Sequence, residues 1–265
     1  MQQSHVTEER IFMNKFELAA KDGKIFAMLV TCGDPDLETT AQIIRNAAQN
    51  GADIIELALP FSDPTAESPV LQESSIRALK NGVTTDTVFE FVKEIRKEIS
   101  VPFVFKTYAN VVFSYGSEKF ISLCSKIGVD ALIIPDLPFE EKDEFQPLCT
   151  KYGVKLISIV TAESEKRVSV IAKEAEGFLY VIADVKNSTD EKLCEIITAA
   201  RQCTNIPCLI SGGISTAEEA CKAAAKSDGI IVGSEIIRLI EKHQKNAPEA
   251  VAKYVKEIKT AVHGK

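Results

Sequence analysis

The chain has 265 residues, of which 45% are hydrophobic and 26% charged, and its formal net charge is −7 with a pI of about 5.2. This composition is ordinary for a globular protein with a large core and argues against intrinsic disorder. An acidic protein is repelled by nucleic acid and by anionic membranes, so neither is an expected partner. No apolar run approaches a membrane span and residues 1–12 lack a signal-peptide core, which together predict a cytoplasmic protein.

The seven cysteines are scattered along the chain, and the three histidines lie near its ends. No C-x-x-C pair or Cys/His cluster has a zinc-binding spacing, so no metal site is predicted. Most of the cysteines stand in apolar stretches, which indicates reduced core residues rather than disulfides.

Short apolar runs rich in β-branched residues alternate with longer amphipathic segments, which is typical of a parallel sheet with crossover helices. Eight runs are predicted strands: 25–31, 53–59, 102–107, 131–134, 154–160, 177–183, 207–210 and 229–232. Eight helices are predicted at about 37–50, 84–99, 116–127, 140–152, 163–175, 190–203, 215–226 and 234–261. Eight parallel strands that each feed a helix predict an α/β fold, a (β/α)8 TIM barrel, because closure removes both sheet edges.

The segments outside this series are interpreted separately. Residues 1–12 are predicted to be a polar leader prone to disorder, and 13–265 a single barrel domain. An extra N-terminal helix near 13–22 is expected to cover the bottom of the barrel. The sequence G-A-D at 51–53 and G-V-D at 128–130 predicts a repeated turn device before the second and fourth strands.

In barrels of this kind the active site lies at the C-terminal ends of the strands. After the seventh and eighth predicted strands, Gly212 and Gly213 permit close approach of the backbone to a ligand, and Ser215 and Ser234 are predicted to begin helices. Free N–H groups at helix N-termini bind anions, so these loops predict a phosphate cup. The alternative is that the glycines only form tight turns between strand and helix.

Glu56 lies in a predicted strand whose other residues are nearly all apolar. Burying a carboxylate without compensation is costly, and partial burial raises its pKa toward neutrality, which suits a general acid or base. The alternative is a structural ion pair, for which Lys106 near the end of the third predicted strand is the available partner.

Residues 56–72 read E-L-A-L-P-F-S-D-P-T-A-E-S-P-V-L-Q and closely resemble the signature of the tryptophan synthase α subunit family. Further similar stretches follow in order: T-C-G-D-P (31–35), R-A-L-K-N-G-V-T (77–84), Y-A-N-V-V-F (108–113), G-V-D-A-L-I-I-P-D-L-P (128–138), G-G-I-S (212–215) and D-G-I-I-V-G-S (228–234). The resemblance implies retro-aldol cleavage of indole-3-glycerol phosphate to indole and glyceraldehyde 3-phosphate, without a cofactor in this chain. It also implies a pyridoxal-phosphate β subunit as partner, in an αββα heterotetramer.

The resemblance also implies roles for individual residues. Glu56 is the implied acid/base that protonates the indole ring carbon and handles the glycerol hydroxyl proton, and Glu67 is implied to hold the indole N–H. The implied substrate-binding residues are Tyr108, Tyr180, Gly213, Gly233 and Ser234. Gly212, from the predicted phosphate cup, and Lys106, near the end of the third predicted strand, are further candidate substrate-binding residues that the resemblance does not supply. Pro60 and Asp63 fall where the family meets its β subunit.

Three departures from the family pattern lie around the expected site, and they predict a divergent member. Residues 183–190 read A-D-V-K-N-S-T-D where the family carries a lid with S-x-x-G-V-T-G, which indicates a shortened lid with Thr189 as a partial substitute. Ser211 and Gly212 stand where a G-F pair is usual. Lys106 replaces an apolar residue and, if it points inward, is expected to pair with Glu56 or Glu67 and to lower the pKa of that carboxyl group.

The departures leave two alternatives open. One is a catalytically impaired α-like subunit that binds and activates a β subunit. The other is a barrel enzyme redirected to another phosphorylated substrate.

Overall fold

The computed structural model describes residues 23–161, 167–183 and 190–264, together with residues 15, 16, 19 and 164. Within these residues the backbone forms one sheet in which every strand pair is parallel. The strands are β1 (Ile25–Thr31), β2 (Ile54–Ala58), β3 (Phe103–Lys106), β4 (Ala131–Ile133), β5 (Lys155–Leu156), β6 (Ile159–Thr161), β7 (Leu179–Ile182), β8 (Cys208–Ser211) and β9 (Gly229–Val232). They pair in the order β5-β4-β3-β2-β1-β9-β8-β7-β6.

The two ends of this order are adjacent in the chain, and that closes the sheet into a barrel. β5 pairs with β4 and β6 pairs with β7, and only two residues separate β5 from β6. Those two residues also bond to both neighbours: Ile157 donates its N–H to the Leu132 carbonyl at 2.9 Å, and the Ser158 carbonyl accepts from Tyr180 N–H at 3.0 Å. The (β/α)8 prediction is therefore confirmed, although the fifth predicted strand, 154–160, is divided in two.

The strands are buried on both faces, as expected for a parallel sheet covered by helices. All seven residues of β1 and all five of β2 are buried. Residues that face the barrel interior, such as Ile54, Val104 and Leu209, form one apolar cluster, and a larger cluster lies between the strands and the helices. Glu56 lies in this apolar interior.

Eleven α-helices lie within the described ranges. They are α1 (Leu37–Gln49), α2 (Pro69–Lys80), α3 (Thr85–Ile95), α4 (Ala109–Tyr115), α5 (Ser117–Ile127), α6 (Gln146–Tyr152), α7 (Val168–Glu174), α8 (Asp190–Arg201), α9 (Ala217–Lys226), α10 (Ser234–His243) and α11 (Ala247–His263), with 3₁₀ segments at Phe139–Glu144 and Gln244–Asn246. None of the described helices is both long and apolar enough to cross a bilayer.

Two helices differ from the sequence predictions in ways that concern the site. α2 was not predicted at all; it begins with Pro69 in the first turn, where the missing proline N–H costs nothing. The predicted helix 234–261 is broken between α10 and α11, where Gln244 has a φ of 50°. The break leaves α10 as a short helix whose N-terminus faces the barrel mouth.

The predicted N-terminal helix falls mostly outside the described residues, as does the polar leader at 1–12. Of its residues, Phe16 is buried and its ring lies 5.5 Å from the ring of Phe178, measured between centroids. Phe16 belongs to the interior cluster, so a side chain from this segment closes the apolar interior.

Three aspartates at the start of strands form a repeated device at the N-terminal end of the barrel. Their carboxylates accept backbone N–H groups from the neighbouring strand: Phe26 to Asp53 at 2.7 Å, Phe103 to Asp130 at 2.9 Å and Cys208 to Asp228 at 2.9 Å. Each also pairs with a cation, from Lys259, Arg96 and Arg201 respectively. The turn device predicted from G-A-D and G-V-D is thus confirmed, and it recurs before β9.

Candidate active site

A cavity of about 300 Å³ opens at the C-terminal ends of the strands. It brings together most of the predicted substrate-binding residues, which come from opposite sides of the barrel. Its lining includes Leu29, Glu67, Leu71, Lys106, Tyr180, Ser211, Gly212, Gly213, Ser215, Gly233, Ser234 and Arg238. Tyr108 and Glu56 lie behind this lining.

Glu56 is the centre of the β2 strand, and its neighbours in register are Leu29 on β1 and Val104 on β3. It is 1% exposed, and neither carboxylate oxygen has a hydrogen-bond partner among the described residues. Burial raises the pKa of Glu56 to about 7, against the opposing effect of Lys106 and with a contribution from Glu67. A carboxyl group in this state exchanges protons readily at neutral pH.

Lys106 ends β3 and points inward. Its Nζ lies 2.8 Å from Glu67 Oε1 and 3.7 Å from Glu56 Oε1, so the first contact is a close ion pair and the second is longer than a hydrogen bond. The predicted pairing is therefore found with both carboxylates. The expected lowering of the carboxyl pKa is wrong for Glu56, because desolvation outweighs the attraction of the ammonium group.

Tyr108 holds the loop that carries Glu67. Its hydroxyl accepts a hydrogen bond from the Ala66 N–H at 3.0 Å, and its ring lies 5.2 Å from the ring of Phe61 between centroids. Tyr108 also stands at the N-terminus of α4, directly after β3 and two residues after Lys106. Tyr108 thus supports the loop, and it also lines a small cavity together with Glu67 and Lys106.

Tyr180 comes from β7, on the opposite side of the barrel, and is almost fully buried. Its hydroxyl donates to Ser211 Oγ at 3.0 Å, and its ring centroid lies 5.8 Å from Lys106 Nζ. Burial raises the pKa of the Tyr180 phenol well above its ordinary value, so the group stays neutral. It therefore supplies a flat, uncharged wall to the cavity.

The glycine-rich side of the cavity is formed by the loops after β8 and β9. Gly212 has a φ of 112°, and a Cβ there would lie 2.3 Å from the Ala183 carbonyl oxygen, so only glycine fits. Gly233 is the N-cap of α10 and Ser234 its first residue, which points the free N–H groups of that helix at the cavity. The residues of the predicted phosphate cup therefore lie together along one side of the cavity.

Ser215 does not serve as predicted. The helix begins at Ala217, with Thr216 as its N-cap, and the N–H and hydroxyl of Ser215 both donate to Glu219 at 2.8 Å. Arg238, which the sequence analysis missed, also lines the cavity. It lies four residues after Ser234 on α10, so helical spacing alone places both on one face.

The predicted partner residues lie on the rim. Asp63 is exposed and Pro60 half-buried, in the loop between β2 and α2. Asp63 accepts a hydrogen bond from the Ser62 hydroxyl at 2.5 Å. The shortened lid, including Thr189, lies outside the described residues, and the described residues contain no cluster of ligands suited to a metal ion.

A closed (β/α)8 barrel with a buried carboxyl group of raised pKa beside a cavity at the C-terminal ends of its strands is typical of a barrel enzyme. A family model described as tryptophan synthase alpha chain matches residues 16–263. The tryptophan synthase alpha chain of Lacticaseibacillus casei is 42% identical over 260 residues, which cover 96% of this chain and 98% of that protein. The chain belongs to the tryptophan synthase alpha chain family, and it is a lyase of that type.

Solved structures give the same result. A crystal structure of tryptophan synthase subunit alpha from Legionella pneumophila has a TM-score of 0.88 and 28% identity, covering 96% of this chain and 100% of that one. A chain in the tryptophan synthase complex of Pyrococcus furiosus has a TM-score of 0.82 and 29% identity, covering 89% of this chain and 97% of that one.

Proposed function

We propose that this chain cleaves indole-3-glycerol phosphate to indole and glyceraldehyde 3-phosphate, with Glu56 as general acid and base and Glu67 as the carboxylate that holds the indole N–H. The observation that carries this proposal is a single carboxyl group, deep in a closed barrel, whose pKa is raised to about 7 beside a ligand-sized cavity. A structural carboxylate in such a place would have its oxygens hydrogen-bonded.

The reaction needs one proton that is donated and then recovered. Protonated Glu56 gives its proton to the indole ring carbon that carries the glycerol chain, and the ring becomes a cationic indolenine. The Glu56 carboxylate then takes the proton of the adjacent glycerol hydroxyl. The carbon–carbon bond breaks, its electron pair returns to the ring to give indole, and the hydroxyl carbon becomes the aldehyde.

Glu67 stabilises the positive charge on the ring, because an ionised carboxylate near the indole N–H is favoured as that charge develops. Its position is fixed by Lys106 on one side and by the Tyr108 support of the preceding loop on the other. Tyr180 supplies the flat surface against which the indole ring packs.

The phosphate binds at the glycine-rich side. The N-terminus of α10, with Gly233 and Ser234, offers free N–H donors and the positive end of the helix dipole. Gly212 and Gly213 allow the backbone to approach the phosphate oxygens. Arg238, on the same helix face, adds a cation at the cavity wall.

A β subunit is the proposed partner, in an αββα assembly. The Pyrococcus furiosus relative was crystallised in a tryptophan synthase complex, and the loop that bears Pro60 and Asp63 is accessible at the barrel mouth of this chain. A cytoplasmic location is part of the same proposal, since all seven cysteines are free thiols, as reducing compartments favour.

The Lys106–Glu67 ion pair favours a second candidate. With Glu67 already bonded to an ammonium group, the chain would stabilise a cationic ring less well, and its main role would be to activate a β subunit. This candidate shares the fold and the partner surface with the first, and differs in the cleavage step.

Indole release from indole-3-glycerol phosphate, measured alone and with a β subunit, tests the proposal. Native protein and the Glu118→Gln variant, which alters an exposed ion pair, should both release indole, and Glu56→Gln should not. No release from native protein in either mixture would refute the lyase proposal. If β-subunit turnover of serine plus indole still rose on addition of the protein, the second candidate would stand.

A further inference from the structure

Lys106 sits between the two carboxyl groups in a geometry that the backbone fixes. As the last residue of β3, it lies in register with Ala58 on β2 and Ile133 on β4. Its side chain is 11% exposed, as is that of Glu67, and Glu56 is 1% exposed. The ammonium group is thus held between the two carboxyl groups at the wall of the cavity.

The groups that face Glu56 come from three elements. Lys106 reaches it from β3 and Glu67 from the loop before α2, and Tyr180 faces the same cluster from β7. Desolvation and Glu67 favour the protonated form of Glu56, and Lys106 favours the ionised form. Lys106 is therefore the one member of the cluster that opposes protonation of Glu56.

Lys106 remains charged over the working range of the protein. Although burial alone favours the neutral amine, the charges of the Glu56 and Glu67 carboxylates and the hydrogen bond to Glu67 raise the pKa of Lys106. A group in this state neither donates a proton readily nor acts as a nucleophile. Its effect on the neighbouring groups is that of a fixed positive charge.

We propose that Lys106 is a positioning residue that sets the pH range in which Glu56 exchanges its proton, by acting as a fixed cation between Glu56 and Glu67. The proposal rests on the proposed function for the role of Glu56. It adds a residue that tunes the reaction without taking part in it.

The test is the pH dependence of the Lys106→Met variant, which keeps the length of the side chain and removes the charge. Because Glu56 acts first as an acid, kcat/KM should fall as pH rises through its pKa, and that alkaline limb reports the free enzyme. Loss of the cation should move the limb upward by about one to three pH units. Lys106→Arg should leave it near the native position.

A matched control separates this effect from a general change of charge. Lys151→Met removes a lysine from an exposed ion pair with Glu118 on the outer helices, and should leave the limb unchanged. Unfolding midpoints of all variants check that each is folded. A folded Lys106→Met variant with the native alkaline limb would overturn the proposal.

A titration that does not need turnover keeps the two proposals distinguishable. In protein labelled with ¹³C at the glutamate carboxyl carbons, the Glu56 resonance, assigned by its loss in Glu56→Gln, should titrate at higher pH in Lys106→Met. In Glu67→Gln it should titrate at lower pH, because the carboxylate that favours protonation is removed. If native protein releases no indole, the proposed function fails and the signs of these shifts alone decide for or against Lys106.

Discussion

The carboxylates at the two ends of the barrel differ in their partners. At the N-terminal end, Asp130 accepts the Phe103 N–H and pairs with Arg96. At the C-terminal end, Glu56 is more deeply buried and has no hydrogen bond to either oxygen from the described residues. The first arrangement stabilises the fold, and the second is the one that the proposed function requires of a general acid.

Position in the barrel is not the deciding factor. Asp34 lies in the loop after β1, at the C-terminal end, and its side chain is fully buried. Arg77 donates to both of its oxygens at 2.8 Å, so this carboxylate is structural. Glu56 differs from Asp34 in the lack of donors around it, and this difference supports its proposed role, since buried carboxylates are normally satisfied.

The largest expected effect that separates the two kinds of carboxylate is that of Glu56→Gln. Indole release should fall by at least about 100-fold, because the general acid is lost. The urea midpoint should not fall, since no hydrogen bond to Glu56 is broken. A variant with near-native turnover would show that Glu56 is not the acid.

The second prediction concerns pH and stability. The pKa of Glu56 is raised from 4.5 to about 7 in the folded protein, so the folded protein binds this proton more tightly than the unfolded chain does. The contribution of Glu56 to the free energy of unfolding is fully present below pH 4.5. It is lost as pH rises through 7, which lowers that free energy by about 3 kcal/mol. Chemical denaturation at pH 5 and pH 8 should show this difference shrinking in Glu56→Gln.

The third prediction is for the structural end. Asp130→Ala should lower the free energy of unfolding by about 2 kcal/mol, because it leaves the buried Phe103 N–H without its acceptor. The kcat/KM for indole release, calculated per mole of folded protein, should stay near the native value. The folded fraction is taken from the denaturation curve rather than from activity. Lost activity without lost stability would contradict the division between the two ends.

The smallest effect is expected at the phosphate cup. Ser234→Ala should raise KM for the phosphorylated substrate about tenfold, because one charge-assisted hydrogen bond to the phosphate is lost while the helix N–H donors remain. The measurement is steady-state kinetics with indole-3-glycerol phosphate. An unchanged KM would place the phosphate away from α10.

Much of this architecture was predictable because the strands are short, nearly continuous apolar runs that alternate regularly with amphipathic segments. α2 was missed because its buried face carries Ser74 and Ser75, which hide the helical pattern. Ser74 is satisfied by Thr31 Oγ1 at 2.6 Å and by the Leu71 carbonyl, contacts that depend on tertiary structure. The division of the fifth strand is likewise set by its neighbours and not by its own composition.

The sequence predicted which residues gather at the cavity better than it predicted the contacts that each of them makes. Glu56 and Glu67 follow from the signature at 56–72, and the glycines follow from the later stretches 212–215 and 228–234. Arg238 could have been found from its spacing to Ser234. The net pKa of Glu56 depends on how desolvation compares with the Lys106 charge, which residue identities do not give. The engagement of Ser215 by Glu219 also requires coordinates.

Two contacts attach the loop before α2 to the end of β3: the Tyr108 hydroxyl binds the Ala66 N–H, and the Lys106 ammonium group pairs with Glu67. Lys106 is the last residue of β3, and Tyr108 follows it by two residues. The loop therefore loses little conformational entropy when substrate binds, because Glu67 is already aligned in the folded protein. Engineering of this loop should consequently begin with β3, whose sequence decides where the second carboxylate stands.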